Sequence, residues 1–444
     1  MNSFSKIKQL TLLAGDAAIL YISLIITLLL RYEERFYFQL FDWHLEPFTI
    51  IFIVWLVIFY IAGLYELKSL KNDLIFLKTF WYAVLSGAAV TVLFFYLIPY
   101  FLIAPKTNLF IFTAIFSILG YGWRRFFNNF INKTSANRIL LIGTSKTAEE
   151  LADHLEKNPQ LGYRIQFWMK EGLADKEFEH LSQIILVNKI NTIVLPAHLK
   201  KDSRATKIIY KTLLLNIEVT ELSALYEQVF QKVPLAELEE VWFLENLAKK
   251  HRIYEMILNP MEKILALILL VLLLPLEILI TLLIKLTSPG SAFFSQKRVG
   301  QDGAEFTLWK FRTMKKNAEE GGPQWANYHQ DPRVTKLGKV LRWTHLDELP
   351  QLWNILRGEL SFVGPRPEQP EFVEKLRKEL PFYDLRHIAK PGITGWAQIN
   401  FRYAASVMDS YQKLQYDIYY IKNNSPFLDL SIVLKTIKFL ISNL

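Results

Sequence analysis

No cysteine occurs in the 444 residues, so disulfides, thiolate nucleophiles and zinc–thiolate sites are excluded at the outset. Acidic side chains are the minority, 42 against 51 basic ones, which leaves a formal net charge of +9. That excess suits phosphorylated substrates and an anionic bilayer surface, and it suits positive-inside loops equally. No nucleic-acid module accompanies the basic balance, so it is not read as nucleic-acid binding. The first apolar run lacks a small-residue cleavage site, which predicts an uncleaved anchor. Internal repeats and low-complexity tracts are also missing.

Hydrophobic residues make up 52% of the chain and aromatics 14%, concentrated in the first 125 residues and at 262–286. Four apolar stretches open the protein, at 9–30, 48–65, 79–103 and 107–123. Each approaches the roughly 20 residues that cross a hydrocarbon core. They lack a polar face, which argues against the core of a soluble domain. Asp16 interrupts the first and is expected near the headgroups. Lys6, Lys8, Lys68, Lys71, Lys78, Arg124 and Arg125 fall on one side, against Arg31, Arg35 and Lys106 on the other. Positive-inside logic then puts both ends of a four-helix transmembrane region, 1–125, in the cytoplasm.

After the polar linker 126–137 the pattern changes to alternating strands and helices. RILLIG (138–143), YRIQFWM (163–169), NTIVLP (191–196) and IEVTEL (217–222) read as strands, with an amphipathic helix at 146–158. This alternation predicts a small parallel α/β domain, 134–250, of Rossmann-like type. Its first turn keeps Gly143, but Ser145 and Ala148 stand where a dinucleotide fingerprint has its other glycines. Lys170, not an acid, follows the second strand. A degenerate domain without a dinucleotide is expected, regulatory or oligomeric in role, as in a homodimer.

ILALILLVLLLPLEILITLLIKL (264–286) is long enough to span, yet Pro275 lies at its middle. Lysines flank both ends, Lys263 before and Lys285 after. A mid-helix proline removes a hydrogen bond and kinks the helix. A re-entrant hairpin over 262–287, bending at Pro275, keeps both flanks on one side; the alternative is a kinked spanning helix.

Arg342–Pro367 carries the chemistry. Leu349, Leu352, Trp353 and Leu356 fall on one helical face. Thr344 or Asp347 is the expected N-cap, Pro350 sits in the first turn, and Gly358 stands where a left-handed residue ends the helix. Asp347 and Glu348 then lie at a helix start, where free amides and the macrodipole keep carboxylates ionised and favour a phosphate alongside. Adjacent helical residues point about 100° apart, which suits a division of labour. One carboxylate attacks an electrophile while the other holds a hard cation such as Mg²⁺. Arg342, and Arg366 between Pro365 and Pro367, offer bidentate phosphate contacts. Gln296, Arg298, Lys310 and Arg312 are further phosphate candidates between 293 and 314. The Gly321–Gly322 loop is a plausible flap. Trp396 is read as stacking on a uracil or lying in the bilayer interface. The last helix, 428–444, is placed in the interface, and His329, His345 and His387 receive no role.

HLDELPQLWNILRGELSFVGPRP (345–367) resembles the core motif of the bacterial sugar transferases, the monotopic phosphoglycosyl transferases. The likeness continues through FFSQKRVGQDG, KFRTM, DPRVTKLGKVLR, KPGITGWAQIN and YDIYYIKN, over roughly the last 180 residues. It differs at Leu274, where the family often has serine before the proline, at His345, and at Asn400-Phe401-Arg402. The resemblance implies a membrane protein of three parts: a helical bundle, the α/β domain, and an α+β monotopic catalytic domain, 258–444, with a re-entrant helix. The implied reaction moves a sugar 1-phosphate from a UDP-sugar to undecaprenyl phosphate, starting the assembly of a surface polysaccharide. Asp347 would be the nucleophile forming an aspartyl phosphosugar, and Glu348 the Mg²⁺ ligand. Arg298, Lys310, Arg312, Arg333, Arg342, Pro365, Arg366, Pro367 and Trp396 would line the substrate site. The enzyme would sit in the bacterial inner membrane, facing the cytoplasm. The front half also resembles membrane-bound sugar-nucleotide dehydratases, whose chemistry needs a Tyr-x-x-x-Lys pair. No tyrosine here is followed by lysine four residues later, and an intact Asp-Glu pair argues against a non-catalytic scaffold.

Overall fold

The computed structural model describes residues 3–32, 38–66, 69–98, 106–133, 137–170, 181–201, 210, 217–247, 252–315, 333–401 and 406–443. The chain divides into two compact units, Met1–Phe230 and Gln231–Leu444. The expected flap at Gly321–Gly322, together with His329 and Arg402, lies outside the described residues.

The first unit opens with four helices, α1 (Ser3–Tyr32), α2 (Phe38–Ala62), α3 (Leu74–Leu97) and α4 (Lys106–Lys133). They pack as α1 on α4 and α2 on α3. Their shared core is aromatic, built from Phe48, Phe52, Trp55, Phe80, Phe112 and Phe116. Trp55 meets Phe116 edge-to-face at 5.2 Å, the arrangement that ring quadrupoles favour. The outer surfaces are apolar as well: Leu10, Ile53, Leu93 and Phe110 are exposed, as lipid-facing side chains must be. Among the described residues, four segments are long and apolar enough to cross a membrane: Ile7–Tyr32, Phe41–Ala62, Leu74–Leu97 and Tyr254–Thr287. α4, expected as an apolar span, is not one of these four and buries Asn108, Ser117, Arg124 and Asn128 within the bundle.

Asp16 is buried inside the bundle. It is 0% exposed and forms an ion pair with Arg124 of α4, a partner 108 positions away that no local pattern reveals. Arg124 also donates to the Leu64 carbonyl at 3.0 Å and lies over the rings of Phe59 and Tyr65.

Four strands follow, β1 (Asn137–Ile142), β2 (Tyr163–Met169), β3 (Thr192–Leu195) and β4 (Glu218–Glu221), all parallel in the order β2-β1-β3-β4. The expected parallel α/β domain is therefore present. The central strands are buried on both faces, Leu140 and Leu141 alike, as crossover helices on each side require. Gly143 has φ +108, and Trp168 closes on it, its indole N–H donating to the Gly143 carbonyl at 2.8 Å. Ser145 caps helix α5 (Lys146–Lys157) by accepting from the Ala148 amide. The position of a second fingerprint glycine is thus occupied by a cap.

In the second unit, Val233, Leu235, Phe243 and Leu247 join a core with Leu376, Trp396 and Ile418. Residues 231–247, assigned from sequence to the α/β domain, so belong to this core. α6 (Arg252–Thr287) is helical throughout, with Pro260 and Pro275 inside it. An antiparallel hairpin, β5 (Phe293–Val299) and β6 (Glu305–Phe311), turns at the glycines 300 and 303 expected to separate two strands. Two short helices, α7 (Lys336–Trp343) and α8 (Gln351–Arg357), lead to a parallel pair, β7 (Ser361–Val363) with β8 (Gly392–Thr394). The chain ends in α9 (Val407–Asn423) and α10 (Pro426–Asn443).

One face of α6 packs on this unit along its length. Before Pro275, Ala266 and Leu273 meet Phe306, Leu308 and Ile355; after it, Ile280 and Ile284 meet Ala292, Phe311 and Leu341. The opposite face, including Leu267, Val271, Ile278 and Leu282, is exposed.

The buried ion pair of the bundle gives a direct test. Arg124→Ala strands the Asp16 carboxylate and should cost about 3–5 kcal/mol, seen as a lower Tm in detergent. Replacing both partners by leucine should recover most of that loss.

Candidate active site

The helix expected at 344–357 is broken into pieces. Thr344 does not cap the turn that carries the two acids; it closes α7, its hydroxyl donating to the Val340 carbonyl at 2.8 Å. His345 then turns the chain through a left-handed conformation, φ 55, which costs energy for any residue with a Cβ. Asp347 and Glu348 occupy a 3₁₀ turn, Leu346–Glu348, and α8 begins only after Pro350. Turn bonds already use the amides here: Glu348 donates to His345, Leu349 to Leu346, Leu352 to Leu349. The helix start expected at the two acids is thus a 3₁₀ turn that uses three of its amides within the chain. Gly358 ends α8 as expected, at φ 79. Trp353 is exposed rather than on the buried face, which is formed by Leu352, Ile355 and Asn354.

Side chains supply the positive charge instead. Lys310 Nζ lies 2.7 Å from Glu348 Oε1, and Arg366 Nη2 lies 3.3 Å from the same oxygen. Period-2 alternation on β6 puts Phe306, Leu308 and Lys310 on one face; the first two are buried against α6 and α8, which aims the third at the dyad. Arg342, at the end of α7, donates through Nε to the Thr313 hydroxyl at 2.9 Å and contributes to the positive field at Asp347.

This field separates the two acids. Burial would raise the Glu348 carboxyl, but Lys310 and Arg366 outweigh it and hold it well below the usual range. Asp347 is 8% exposed. Burial pushes its carboxyl up, against the pull of Lys310, and the charge of Glu348 pushes it further. Both carboxylates were expected to sit low at a helix start; only Glu348 does. Two neighbouring acids driven apart in this way are able to take different roles.

The remaining candidates are placed differently. Arg298 donates to the Pro367 carbonyl at 3.0 Å and to Gln296 at 2.6 Å, so it braces the Pro-Arg-Pro turn from beneath. Pro365 and Pro367 are buried, and the Pro365 carbonyl accepts from Gly392 at 3.0 Å. Arg312 donates to the Ser288 and Pro289 carbonyls just beyond α6. The Arg333 carbonyl accepts from the Lys315 amide at 2.9 Å, joining the two ends of the segment 316–332. Trp396, read as stacking on a uracil or lying in the bilayer interface, is a buried side chain. It is 3% exposed, its indole donates to the Gln231 carbonyl at 2.9 Å, and its ring packs on Tyr419.

Three supporting groups escaped sequence reading. Asn354, fully buried, donates to the Thr307 carbonyl and accepts from the Trp309 amide, fixing α8 against β6 and so Glu348 against Lys310. Arg386 donates to the Arg366 carbonyl at 2.9 Å and pairs with Asp417, both buried. Glu368 lies between Lys413 and Arg298; burial would raise it, but Lys413 and Arg386 hold it low. A polar residue inside the apolar stripe of a short helix was the one available signal for Asn354. His387, given no role, is buried and pushed down to about 4, first by desolvation and then by Arg386.

Residues 253–443 match the family described as Bacterial sugar transferase. A UDP-N-acetylgalactosamine-undecaprenyl-phosphate N-acetylgalactosaminephosphotransferase of Aeromonas hydrophila is 48% identical over 186 residues, 42% of this chain and 44% of that protein. A UDP-glucose:undecaprenyl-phosphate glucose-1-phosphate transferase of Escherichia coli (strain K12) is 31% identical over 336 residues, 72% of this chain and 70% of that one. A protein of the same name from Xanthomonas campestris pv. campestris is 42% identical over 177 residues, 39% of this chain and 37% of the relative.

Asn354→Leu should leave the Trp309 N–H and the Thr307 carbonyl without the side chain that serves them, at about 1–3 kcal/mol each. A lower Tm together with a weakened Lys310–Glu348 pair is the expected result. An unchanged Tm would show that Asn354 does not set this register.

Proposed function

The chain belongs to the bacterial sugar transferase family, and on that premise we propose that it transfers a sugar 1-phosphate from a UDP-sugar to undecaprenyl phosphate, giving the undecaprenyl-diphosphate sugar and UMP. The observation that carries this is the split dyad, a buried Asp347 beside a Glu348 held ionised by Lys310 and Arg366. Asp347 attacks the sugar-bearing phosphorus of the donor; the bond to the UMP oxygen breaks, and UMP leaves with that electron pair. The lipid phosphate then attacks the aspartyl phosphosugar and releases the carboxylate. Lys310, Arg366 and Arg342 face the negative charge that develops on the phosphoryl oxygens, in a site dry enough for charge to count.

The donor set fits a hard divalent cation. Magnesium takes one or two carboxylates and completes its shell with phosphate oxygens and water. Among the described residues no third acid or histidine joins the pair, as that mode of binding permits. Glu348 would hold Mg²⁺ and leave Asp347 free to attack; the ion would supply Lewis-acid polarisation of the phosphoryl oxygens when bound.

α6 is read as re-entrant. Its packed face, from Ala266 to Ile284, lies on the same unit before and after Pro275. A straight crossing would draw that unit, with its charged site, about 27 Å along the helix into hydrocarbon. The exposed face of α6 and the exposed Phe427, Leu430 and Ile437 of α10 would then meet the bilayer. The catalytic unit faces the cytoplasm of the inner membrane, where nucleotide sugars are made. The α/β domain is read as a degenerate Rossmann-like fold, regulatory or used to pair two copies.

A UMP-release assay across UDP-sugars tests the reaction, with UDP-N-acetylgalactosamine and UDP-glucose, the donors named in the relatives, first. Asp347→Asn should lower turnover about 10⁴-fold or more while leaving membrane insertion intact; near-normal release would overturn its role. Since the ionised form attacks and burial raises the pKa, activity should fall as pH drops through that raised value. The acid limb of kcat/KM should therefore lie above the ordinary aspartate value of about 4. Glu348→Gln should reduce both the rate and its response to Mg²⁺.

Single cysteines at Met261 and Thr287 test the hairpin in a chain with no native thiol. In intact cells both should resist an impermeant reagent, and labelling at 287 alone would establish a spanning helix.

A further inference from the structure

Glu262 lies about three turns into α6, one residue before the lysine that precedes its long apolar run. It is 7% exposed, and an acid so placed is costly unless it is fully partnered. Its Oε1 accepts from the Ser361 hydroxyl at 2.5 Å and from the Phe362 amide at 3.0 Å. Those residues begin β7, and the chain then runs through Val363, Gly364 and Pro365 to Arg366.

The backbone between Glu262 and Arg366 has no slack. β7 pairs with β8 through Ser361–Gly392 and Val363–Thr394, and Gly364 donates to Thr394 at 2.9 Å. A Cβ on Gly364 would lie 2.2 Å from the Lys390 carbonyl, and one on Gly392 would lie 2.1 Å from the Gly364 amide, so the two strands are in backbone contact. A second strut leaves the same helix two turns earlier. Tyr254 donates to Asp429, which accepts also from Tyr420, and the Tyr420 hydroxyl reaches the Val363 carbonyl at 3.2 Å. Arg386 fixes the Arg366 carbonyl from the far side.

We infer that Glu262 is a positioning residue: it ties the membrane helix to β7, so that the seating of that helix sets how Arg366 meets Glu348. The inference rests on the proposed transfer reaction. It extends it by joining the lipid-facing element to the phosphate site through one carboxylate. Glu262 touches no substrate; it acts through Arg366, and a loss of its contacts should be felt only while Arg366 is doing its part.

The test is a double-variant cycle on the full-length protein in membranes, reading UMP release with undecaprenyl phosphate and whichever UDP-sugar supports turnover. Glu262→Ala alone should slow release about 10–100-fold, the scale of a displaced binding group. Glu262→Gln, which keeps an acceptor for both donors, should recover most of that loss. Added to Arg366→Lys, Glu262→Ala should cost little more. Losses that multiply in the double variant would overturn the inference, as would Glu262→Ala within twofold of wild type. If Glu262→Ala does not insert or fold, Ser361→Ala is put through the same cycle against the same criteria. Wild-type protein silent with every donor would instead overturn the proposed reaction, and this inference with it.

Discussion

Glu348 is the point at which the second unit is tied together. Its Oε1 receives Lys310 from a β-hairpin and Arg366 from a proline-bounded turn, while the residue itself sits on a 3₁₀ turn between two short helices. None of these elements is long enough to be stable alone. Each is held by a separate buried polar contact: Asn354 registers the hairpin, Arg386 and Arg298 hold the turn, and Thr313 steadies Arg342. Such contacts contribute modestly when made and cost heavily when half-broken. The site is consequently rigid because its parts are fixed from several directions, with no one strong bond responsible.

Rigidity matters because the two acids must differ. Glu348 and Asp347 are chain neighbours, yet one is stabilised as the anion by two cations and the other is raised by burial and by its neighbour's charge. A small shift of Lys310 or Arg366 would blur that difference, since charge interactions in a partly dry site change steeply with distance. The same logic explains why conspicuous basic residues serve as supports. Arg298 and Arg312 each place donors on backbone carbonyls, and planar guanidinium forks suit that task as well as they suit phosphate.

Much of the architecture was legible because it depends on local periodicity. Unbroken apolar runs mark the membrane helices, and alternating strands and helices mark the parallel sheet; Gly300, Gly303 and Gly358 mark a hairpin turn and a helix stop. Where the reading failed, a partner distant in sequence decided the outcome. Asp16 gave no local sign that Arg124 would pair with it inside the bundle. Thr344 looked like a helix start and is a helix end, because His345 adopts a left-handed turn that no propensity favours. Trp396 sits in a glycine- and proline-punctuated loop, yet the Gln231 carbonyl and Tyr419 bury it.

The sequence by itself determined the membrane bundle, the α/β domain, the absence of thiol chemistry and the short stretch that carries the two acids with their flanking arginines. These follow from composition, spacing and chain adjacency, which folding cannot alter. Only the tertiary structure decided which cations reach Glu348, which acid is raised and which is lowered, and how the membrane helix is latched to the Arg366 turn. Those outcomes depend on distances of 2.5–3.3 Å between residues 18 to 100 positions apart, and burial and Coulomb interactions respond to such distances, to which sequence separation is no guide.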